Sequence, residues 1–428
     1  MKKGLAAGVV AALLASAGAA FAGEVSYIHA GRVLADPATG RVAERQTLVI
    51  EDGKVKEIRD GFVGEGNVVD LSGKFVLPGF IDSHVHLNGQ QGDGDRASRF
   101  TTTSADAALR GAQYAKITLE SGFTTVADLG GNIDAVVGLR NAIAQGRVPG
   151  PRILASAGTV TPHGGHGDAN GVPESLVPHL RSSGVCSGPD DCRRAVRERV
   201  RSGADIIKIT ATGGVLSDTG AGLNQQFADE ELRAIVETAH FMGRQVTAHA
   251  HGTDGINSFL RAGGDSIEHG TFLDNETIRM LKANGGYLVP TLLAGDFVAR
   301  EAVRPGNTFT EHQRKKSLEA GPLMLDMARR AHAAGVKIAF GTDNGVAPHG
   351  TNAREFQLLV QAGLTPLEAI QTATINAADH FRLGDQIGRI TAGYNADIIA
   401  VEGNPLEDVT TLMDVNFVMR AGKIYKQQ

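Results

Sequence analysis

Pro78-Gly79-Phe80-Ile81-Asp82-Ser83-His84-Val85-His86 is the stretch of sequence that decides the fold. It is an apolar run that ends in two histidines, which is typical of a buried strand. Side chains two positions apart on a strand lie on one face, so His84 and His86 can bind one metal ion together. A lone His-x-His pattern is weak evidence, because exposed strands contain it by chance. It gains weight here because it ends the first of several similar runs.

Short β-branched or apolar runs recur through the middle of the chain, with longer helical stretches between them. The eight runs cover 79–87, 124–129, 152–157, 205–210, 245–250, 265–268, 287–291 and 337–341. Helical stretches include 190–201, 229–243 and 323–334. This alternation predicts an α/β fold, a (β/α)8 TIM barrel over residues 77–387, with its active site at the carboxyl ends of the strands. A doubly wound open sheet is the alternative, but no glycine-rich phosphate loop opens an early helix.

Both ends of the chain have a different texture from the middle. Short strand-like runs at 27–28, 46–51, 55–58 and 68–71 are separated by turns, and the same pattern returns at 396–401 and 416–425. Such spacing is typical of all-β structure. We therefore expect residues 23–76 and 388–428 to form one small β-sandwich domain from both termini.

Residues 1–22 have the pattern of a secretory signal peptide. Lys2 and Lys3 precede an apolar run at 5–19, and Ala20-Phe21-Ala22 matches an A-x-A cleavage signal. A membrane anchor is the alternative, although the run is short and alanine-rich for a spanning helix. We expect a periplasmic or secreted protein without a membrane contact after cleavage. The net charge of −5 argues against a nucleic-acid partner.

The chain has two cysteines, Cys186 and Cys192, which bracket a five-residue loop. Disulfides form readily in oxidising compartments, so an exported protein favours a local disulfide here. Two free surface thiols are the alternative.

Other metal-ligand residue types occur where the later runs end. They are Lys208, His249, His269 and Asp343. A buried lysine is unusual among them, because an ammonium group repels metal ions and is unstable in a low-dielectric site. Carboxylation of its amine by CO2 would make an anionic carbamate that can bridge two ions. An ion pair with a carboxylate such as Asp205 is the alternative for Lys208 taken alone.

As a set these motifs resemble the binuclear-metal amidohydrolases, and within them the exported dipeptidases related to Xaa-Pro dipeptidases and imidazolonepropionase-like proteins. The resemblance covers nearly the whole chain after residue 22. The motifs are residues 77–86, Ile207-Lys208 with Thr212-Gly213-Gly214, residues 248–252, Ile267-Glu268-His269-Gly270, Gly341-Thr342-Asp343 and residues 393–397.

The resemblance implies a site for two divalent ions. His84, His86 and Asp343 would bind one ion, His249 and His269 the other, and carboxylated Lys208 would bridge them. Zinc suits a nitrogen- and oxygen-rich site, with manganese and cobalt as alternatives. Asp82 shares a strand face with His84, and it either orients that histidine or is simply a polar residue at a strand end.

The implied activity is hydrolysis of the amide bond of a dipeptide or N-acyl amino acid, a small-molecule substrate. Two ions make hydroxide available near neutral pH, and we expect it to attack the amide carbon while Asp343 carries the proton to the leaving nitrogen. In relatives, positions matching His166 and His251 contact the substrate. Relatives carry tyrosine at the second of these positions. His163 is expected to be a solvated loop residue.

Other activities remain open on the same fold. The same two-metal set serves a non-peptide amide, such as an ochratoxin-like amino-acid conjugate, or a lactone or phosphotriester. Hydrolytic deamination is disfavoured, because mononuclear deaminases lack the bridging lysine. A metal-free periplasmic interaction protein is the alternative outside enzymes. A homo-oligomer is possible from the resemblance alone.

Overall fold

The computed structural model describes residues 25–92, 98–218 and 220–428. The predicted signal peptide lies outside these residues. Within the described part of the chain, no helix has both the length and the apolar character needed to cross a membrane.

The chain alternates strands and helices for most of its length. The strands are β1 (Ser26–Val33), β2 (Ala43–Glu51), β3 (Lys54–Asp60), β4 (Asn67–Pro78), β5 (Phe80–Val85), β6 (Phe123–Asp128), β7 (Arg152–Ala155), β8 (Thr159–Pro162), β9 (Val185–Cys186), β10 (Ile207–Thr210), β11 (Val246–Ala250), β12 (Ser266–His269), β13 (Tyr287–Val289), β14 (Lys337–Ile338), β15 (Ile398–Val401), β16 (Val415–Arg420) and β17 (Lys423–Gln427).

The helices lie mainly between the strands of the middle region. They are α1 (Ser98–Thr101), α2 (Ser104–Glu120), α3 (Ile133–Ala144), α4 (Val177–Leu180), α5 (Pro189–Arg201), α6 (Asp229–Phe241), α7 (Thr253–Arg261), α8 (Asn275–Asn284), α9 (Leu292–Val303), α10 (Glu311–Ala320), α11 (Met324–Ala333), α12 (Arg354–Gln361), α13 (Pro366–Gln371) and α14 (Ala377–His380). Short 3-10 turns cover Glu174–Leu176, Gly321–Leu323 and Val409–Met413, and a π-helical turn covers Thr372–Asn376.

The two ends of the chain build one seven-stranded sheet in the order β17-β16-β15-β4-β1-β2-β3. All neighbours are antiparallel except β1 and β4. The predicted β-rich unit from both termini is thus confirmed, as a mostly antiparallel sheet. Strand alternation in β4 divides its side chains between two cores. Phe75 and Leu77 join the barrel core, whereas Val76 joins the core of the terminal sheet.

The middle of the chain forms the predicted (β/α)8 barrel. Its eight positions are β5, β6, β7 continued by β8, and then β10 to β14, with parallel pairing along the series. The first and last positions meet where Ser83 N donates to Phe340 O at 2.8 Å and Asp343 N donates to His84 O at 2.7 Å. The barrel therefore closes beside the histidine pair, and all strand ends meet at one rim.

The third barrel strand differs from its prediction as one run at 152–157. It stops at Ala155 and resumes at Thr159, because Ala157 and Gly158 have positive φ values of 51° and 88°. The buried Arg199 supports this break by donating to Ala157 O at 3.0 Å. Glycine and only a few other residues accept such backbone angles, so the break depends on local strain that periodicity does not reveal.

A two-residue strand, β9, lies parallel to β8 and was not predicted. It ends at Cys186, and Cys186 is joined to Cys192 in α5 by a disulfide, with a Cα–Cα distance of 5.0 Å. Both half-cystines are buried in the barrel core. The predicted disulfide is therefore confirmed, and it connects a strand to the helix that follows.

Candidate metal centre

Four of the predicted ligands meet at the rim around one nitrogen of His84. His84 Nε2 lies 3.3 Å from His86 Nε2, 3.2 Å from Lys208 Nζ and 3.4 Å from Asp343 Oδ1. The four residues come from β5 and the position directly after it, from β10 and from the segment after β14, and these three regions lie far apart in the sequence. The barrel closure brings them together as the strand assignments predicted.

His249, His251 and His269 form a second group on β11, the loop after it and β12. Their ring centroids are 4.7 to 4.9 Å apart, and the His269 ring is 5.3 Å from that of His84. Two sets of side chains place one donor atom each within 4.8 Å of the others, namely His249 with His251 and His269, and His84 with His269 and Asp343. His251, predicted to contact substrate, therefore also lies among the possible metal donors. The division of ligands between two ions stays a prediction.

Burial sets the charge states of these groups. It lowers the pKa of His84, His249 and His269 well below the usual value, so their rings are neutral and keep a lone pair for a metal ion. Burial also lowers the pKa of Lys208, although Glu268 and Asp343 oppose the shift. A lower pKa increases the fraction of neutral amine, which is the form that reacts with CO2.

A metal ion fits this arrangement of atoms. Nε2 of His84, Nε2 of His86 and Oδ1 of Asp343 converge within 3.4 Å of one another. Asp343 Oδ1 is buried and receives no hydrogen bond from the described residues. Neutral imidazoles and a carboxylate are electron-pair donors, so their convergence is favourable only around a cation. Their nitrogen and oxygen chemistry suits zinc and its neighbours.

Three hydrogen-bond partners of the histidines were missed in the sequence. Glu268 Oε2 accepts from His84 Nδ1 at 2.8 Å, Thr291 Oγ1 is 2.7 Å from His269 Nδ1, and Thr271 Oγ1 is 2.8 Å from His251 Nδ1. Such partners fix the ring orientation and leave Nε2 for a metal or substrate. Strand alternation alone would put Glu268 on the opposite face from His269. The positive φ of His269, 70°, breaks that alternation, so periodicity gave no signal for Glu268.

Asp82 binds backbone, hydroxyl and amide groups rather than an imidazole. It accepts hydrogen bonds from His84 N at 3.1 Å, Thr342 Oγ1 at 2.7 Å and Asn352 Nδ2 at 2.8 Å. Burial raises its pKa to about 7. Asp82 therefore joins the first barrel strand to the segment that carries Asp343.

The proposed alternative partner of Lys208 is engaged elsewhere. Asp205 accepts from Arg140 Nη1 at 2.6 Å and from Ala155 N at 2.9 Å. An ion pair between Asp205 and Lys208 is therefore wrong as an explanation of the buried lysine. Asp128, at the end of β6, is a further buried carboxyl at the rim that the sequence did not single out, and burial raises its pKa to about 6.

Of the two loop histidines, only His166 reaches the centre. Its ring centroid is 4.3 Å from that of His249, and its backbone N donates to Gln226 Oε1 at 2.8 Å. Burial lowers its pKa to about 4. His163 is exposed, in agreement with its expected position in solvent.

A cavity of about 290 Å³ opens beside the donor cluster. The histidines, Lys208 and Asp343 line one end of it. The other end is apolar and is lined by Val215, Leu216, Val298, Ala320 and Met324. Gly295 lies in this wall, and a Cβ there would come within 2.3 Å of Met324 Sδ. A cluster of polar groups that faces an apolar wall is typical of a small-molecule site.

Comparison with known proteins gives matches over most of the chain. The amidohydrolase family model matches residues 75–425. The chain is 33% identical to ochratoxinase of Aspergillus niger, over 94% of this chain and 87% of the relative. It is 26% identical to imidazolonepropionase of Chromobacterium violaceum, over 87% and 90% of the two chains. The crystal structure of an Xaa-Pro dipeptidase with bound methionine matches with a TM-score of 0.89 and 40% identity, over 94% of this chain and all of that one.

Proposed function

The chain belongs to the amidohydrolase family and is a hydrolase of amide or peptide bonds, and on this premise we propose that it is an exported two-metal enzyme that cleaves dipeptides or N-acyl amino acids. The observation that carries the proposal is that Lys208 Nζ and Asp343 Oδ1 lie 3.2 Å and 3.4 Å from His84 Nε2. When bound, two ions such as zinc would polarise the scissile carbonyl and acidify a water molecule.

The remaining roles, ion binding and proton transfer, are assigned to residues of the chain. His84, His86, His249, His269 and Asp343 would hold the ions, with carboxylated Lys208 between them. Although burial opposes its ionisation, the contacts with His84 and His86 lower the pKa of Asp343 to about 2, so the group is a carboxylate at neutral pH and would take up a proton from the attacking water. Asp343 would then pass that proton to the leaving nitrogen.

Recognition of the substrate carboxylate is assigned to His166 and His251. Among the described residues that line the cavity there is no arginine, and the imidazoles of His166 and His251 offer N–H groups that can donate to a carboxylate. Burial lowers the pKa of His251 to about 3, and Thr271 already engages its Nδ1. Nε2 of His251 is thus the ring atom that remains for a ligand. The apolar wall around Val298 and Met324 would receive an uncharged side chain.

A non-peptide amide is the second candidate substrate. The similarity to ochratoxinase and the apolar end of the cavity both favour an amino acid joined to an aromatic acid. This candidate uses the same ions and the same proton carrier.

The decisive experiment is a screen of the metal-loaded protein with dipeptides, N-acyl amino acids, an ochratoxin-like amide and lactones. We expect release of the free amino acid from amides with apolar side chains. The matching carboxamides lack the carboxylate, and their kcat/KM values should be lower by about tenfold or more. The proposal would be contradicted if the protein hydrolysed only lactones. It would also be contradicted if a protein with two bound ions hydrolysed none of the compounds.

Export is a separate part of the proposal. The signal-peptide pattern at residues 1–22 and the Cys186–Cys192 disulfide support it. Mass spectrometry of the protein from the periplasm or medium should give a chain that begins at Gly23. Recovery of a full-length chain from the cytoplasm alone would exclude export.

A further inference from the structure

The segment that carries His166 is held from one side by the short strand β9. We refer to residues 162–168 as the substrate loop. His163 N donates to Cys186 O at 3.1 Å, and Thr161 N donates to Gly184 O at 3.1 Å. Gly184 approaches so closely that a Cβ would lie 2.0 Å from Thr159 O. The start of the substrate loop is therefore aligned directly on β9.

β9 has only two residues, and such a short edge strand needs other contacts to stay in place. Arg194 Nη2 donates to Val185 O at 3.1 Å, and Arg199 donates to Ser183 Oγ. The covalent link is the disulfide between Cys186 and Cys192, which fixes the end of β9 to the first turn of α5. β9 is therefore fastened to α5 by side-chain contacts and by one covalent bond.

Contacts within the substrate loop and with adjacent residues stabilise its conformation. Asp168 accepts from Gly164 N at 2.8 Å and pairs with Arg181 at 3.0 Å. Gly167 N donates to Thr161 Oγ1 at 3.1 Å. A shift of β9 would therefore displace His166 relative to the cavity.

The predicted metal ligands lie on segments other than β9 and α5. They lie on β5, β10, β11, β12 and the segment after β14, whereas the disulfide joins β9 to α5. From this separation we propose that the Cys186–Cys192 disulfide sets the substrate affinity of the enzyme by positioning the substrate loop. The chain with two thiols keeps its metal site but binds substrate weakly. The inference rests on the proposed function for its kinetic readout.

The Cys186–Cys192 disulfide would form by thiol–disulfide exchange. One Sγ–Sγ bond forms as two thiols lose two electrons and two protons, and an external disulfide is reduced to two thiols. Because such oxidants act outside the cytoplasm, the chain would gain full substrate affinity on export.

The test compares the metal-loaded mature protein with the Cys186→Ala/Cys192→Ala variant. We expect KM to rise about tenfold, as for loss of a hydrogen bond to a charged group, with kcat within twofold and the metal content unchanged. Gly184→Ala keeps the disulfide but separates β8 from β9, so it should raise KM in the same direction. Val418→Ala, in β16 of the terminal sheet, is the control for lost stability and should leave KM unchanged. Unchanged KM in the Cys186→Ala/Cys192→Ala variant would overturn the proposal, whatever the effect of Gly184→Ala.

A double-mutant cycle with His166→Ala tests the route of the effect. If the disulfide acts through His166, its removal should raise KM less than twofold in the His166→Ala background. An undiminished rise there would overturn the proposal.

Hydrogen exchange separates this inference from the proposed function, because it needs no substrate. Amides in residues 162–168 should exchange faster without the disulfide, while those in residues 80–86 and 246–250 should not change. Equal exchange in residues 162–168 would overturn the proposal, whatever the enzyme hydrolyses.

Discussion

The two ends of the barrel hold charged side chains in opposite ways. At the carboxyl rim, the metal-ligand atoms of buried His84 and Asp343 face that of His86, which is partly exposed. At the opposite end, Asp265 accepts from His240 Nε2 and from Val246 N, both at 2.8 Å, and Lys337 lies 5.2 Å from the ring of Tyr287. The charged groups named at that end each have a partner. We therefore expect a bound ion to relieve unfavourable contacts at the rim, whereas the paired charges at the other end stabilise the fold.

Among changes that test this difference between the two ends, Asp343→Asn should have the largest effect on turnover. Loss of the proton carrier should lower kcat by about 10³-fold while the fold is kept. The matched change at the other end, Asp265→Asn, should leave kcat unchanged and lower the free energy of unfolding by about 1–2 kcal/mol. Steady-state kinetics and urea unfolding of both variants test this. Near-wild-type turnover in Asp343→Asn would remove the assigned role.

Lys208→Ala, at the rim, should lower metal content and turnover, unlike a lysine substitution at the opposite end of the barrel. Without the bridging group we expect fewer than two bound ions per chain and a fall in kcat of about 10²-fold or more. A short carboxylic acid such as propionate should restore part of the activity, because it can replace the carbamate in the vacated space. Lys337→Ala, the control, should keep its metal content and turnover. Full metal loading of Lys208→Ala, measured by elemental analysis, would refute the bridging role.

Glu268→Gln tests whether the rim depends on its hydrogen-bonded support. The amide no longer accepts reliably from His84 Nδ1, so metal affinity should fall about 10- to 100-fold. Competition with a chelator measures this change. Glu276→Gln breaks only an exposed pair with Arg261 and should not alter the affinity. Identical affinity in the two variants would mean that Glu268 has no part in positioning His84.

The smallest effect concerns a buried histidine at the opposite end. Burial lowers the pKa of His380 to about 4, whereas an unfolded histidine titrates near 6.5. Between these values the unfolded chain binds a proton that the folded chain does not, so stability falls as the pH is lowered from about 6.5 to about 4. His380→Phe keeps the ring beside Tyr287 and should flatten that slope by at most about 1.4 kcal/mol per pH unit. Parallel unfolding curves at several pH values measure it, and equal slopes would contradict the shift.

The sequence predicted much of the barrel because its signals are local. Alternating runs and helices indicated each strand, and His84-x-His86 indicated which end carries the chemistry. The runs at both termini likewise indicated the β-rich unit. The break at Ala157 and the two-residue strand at Cys186 could not be predicted, since each depends on contacts with α5.

The ligand types and their order along the chain were determined by the sequence itself, because strand periodicity and residue chemistry act over a few positions. Which atoms meet was decided only by the tertiary structure. Glu268 reaches His84 across 184 residues, and His251 joins His249 and His269. Asp205 pairs with Arg140 and not with Lys208. Closure of the barrel and the left-handed backbone of His269 set these pairs, and neither is encoded in a local pattern.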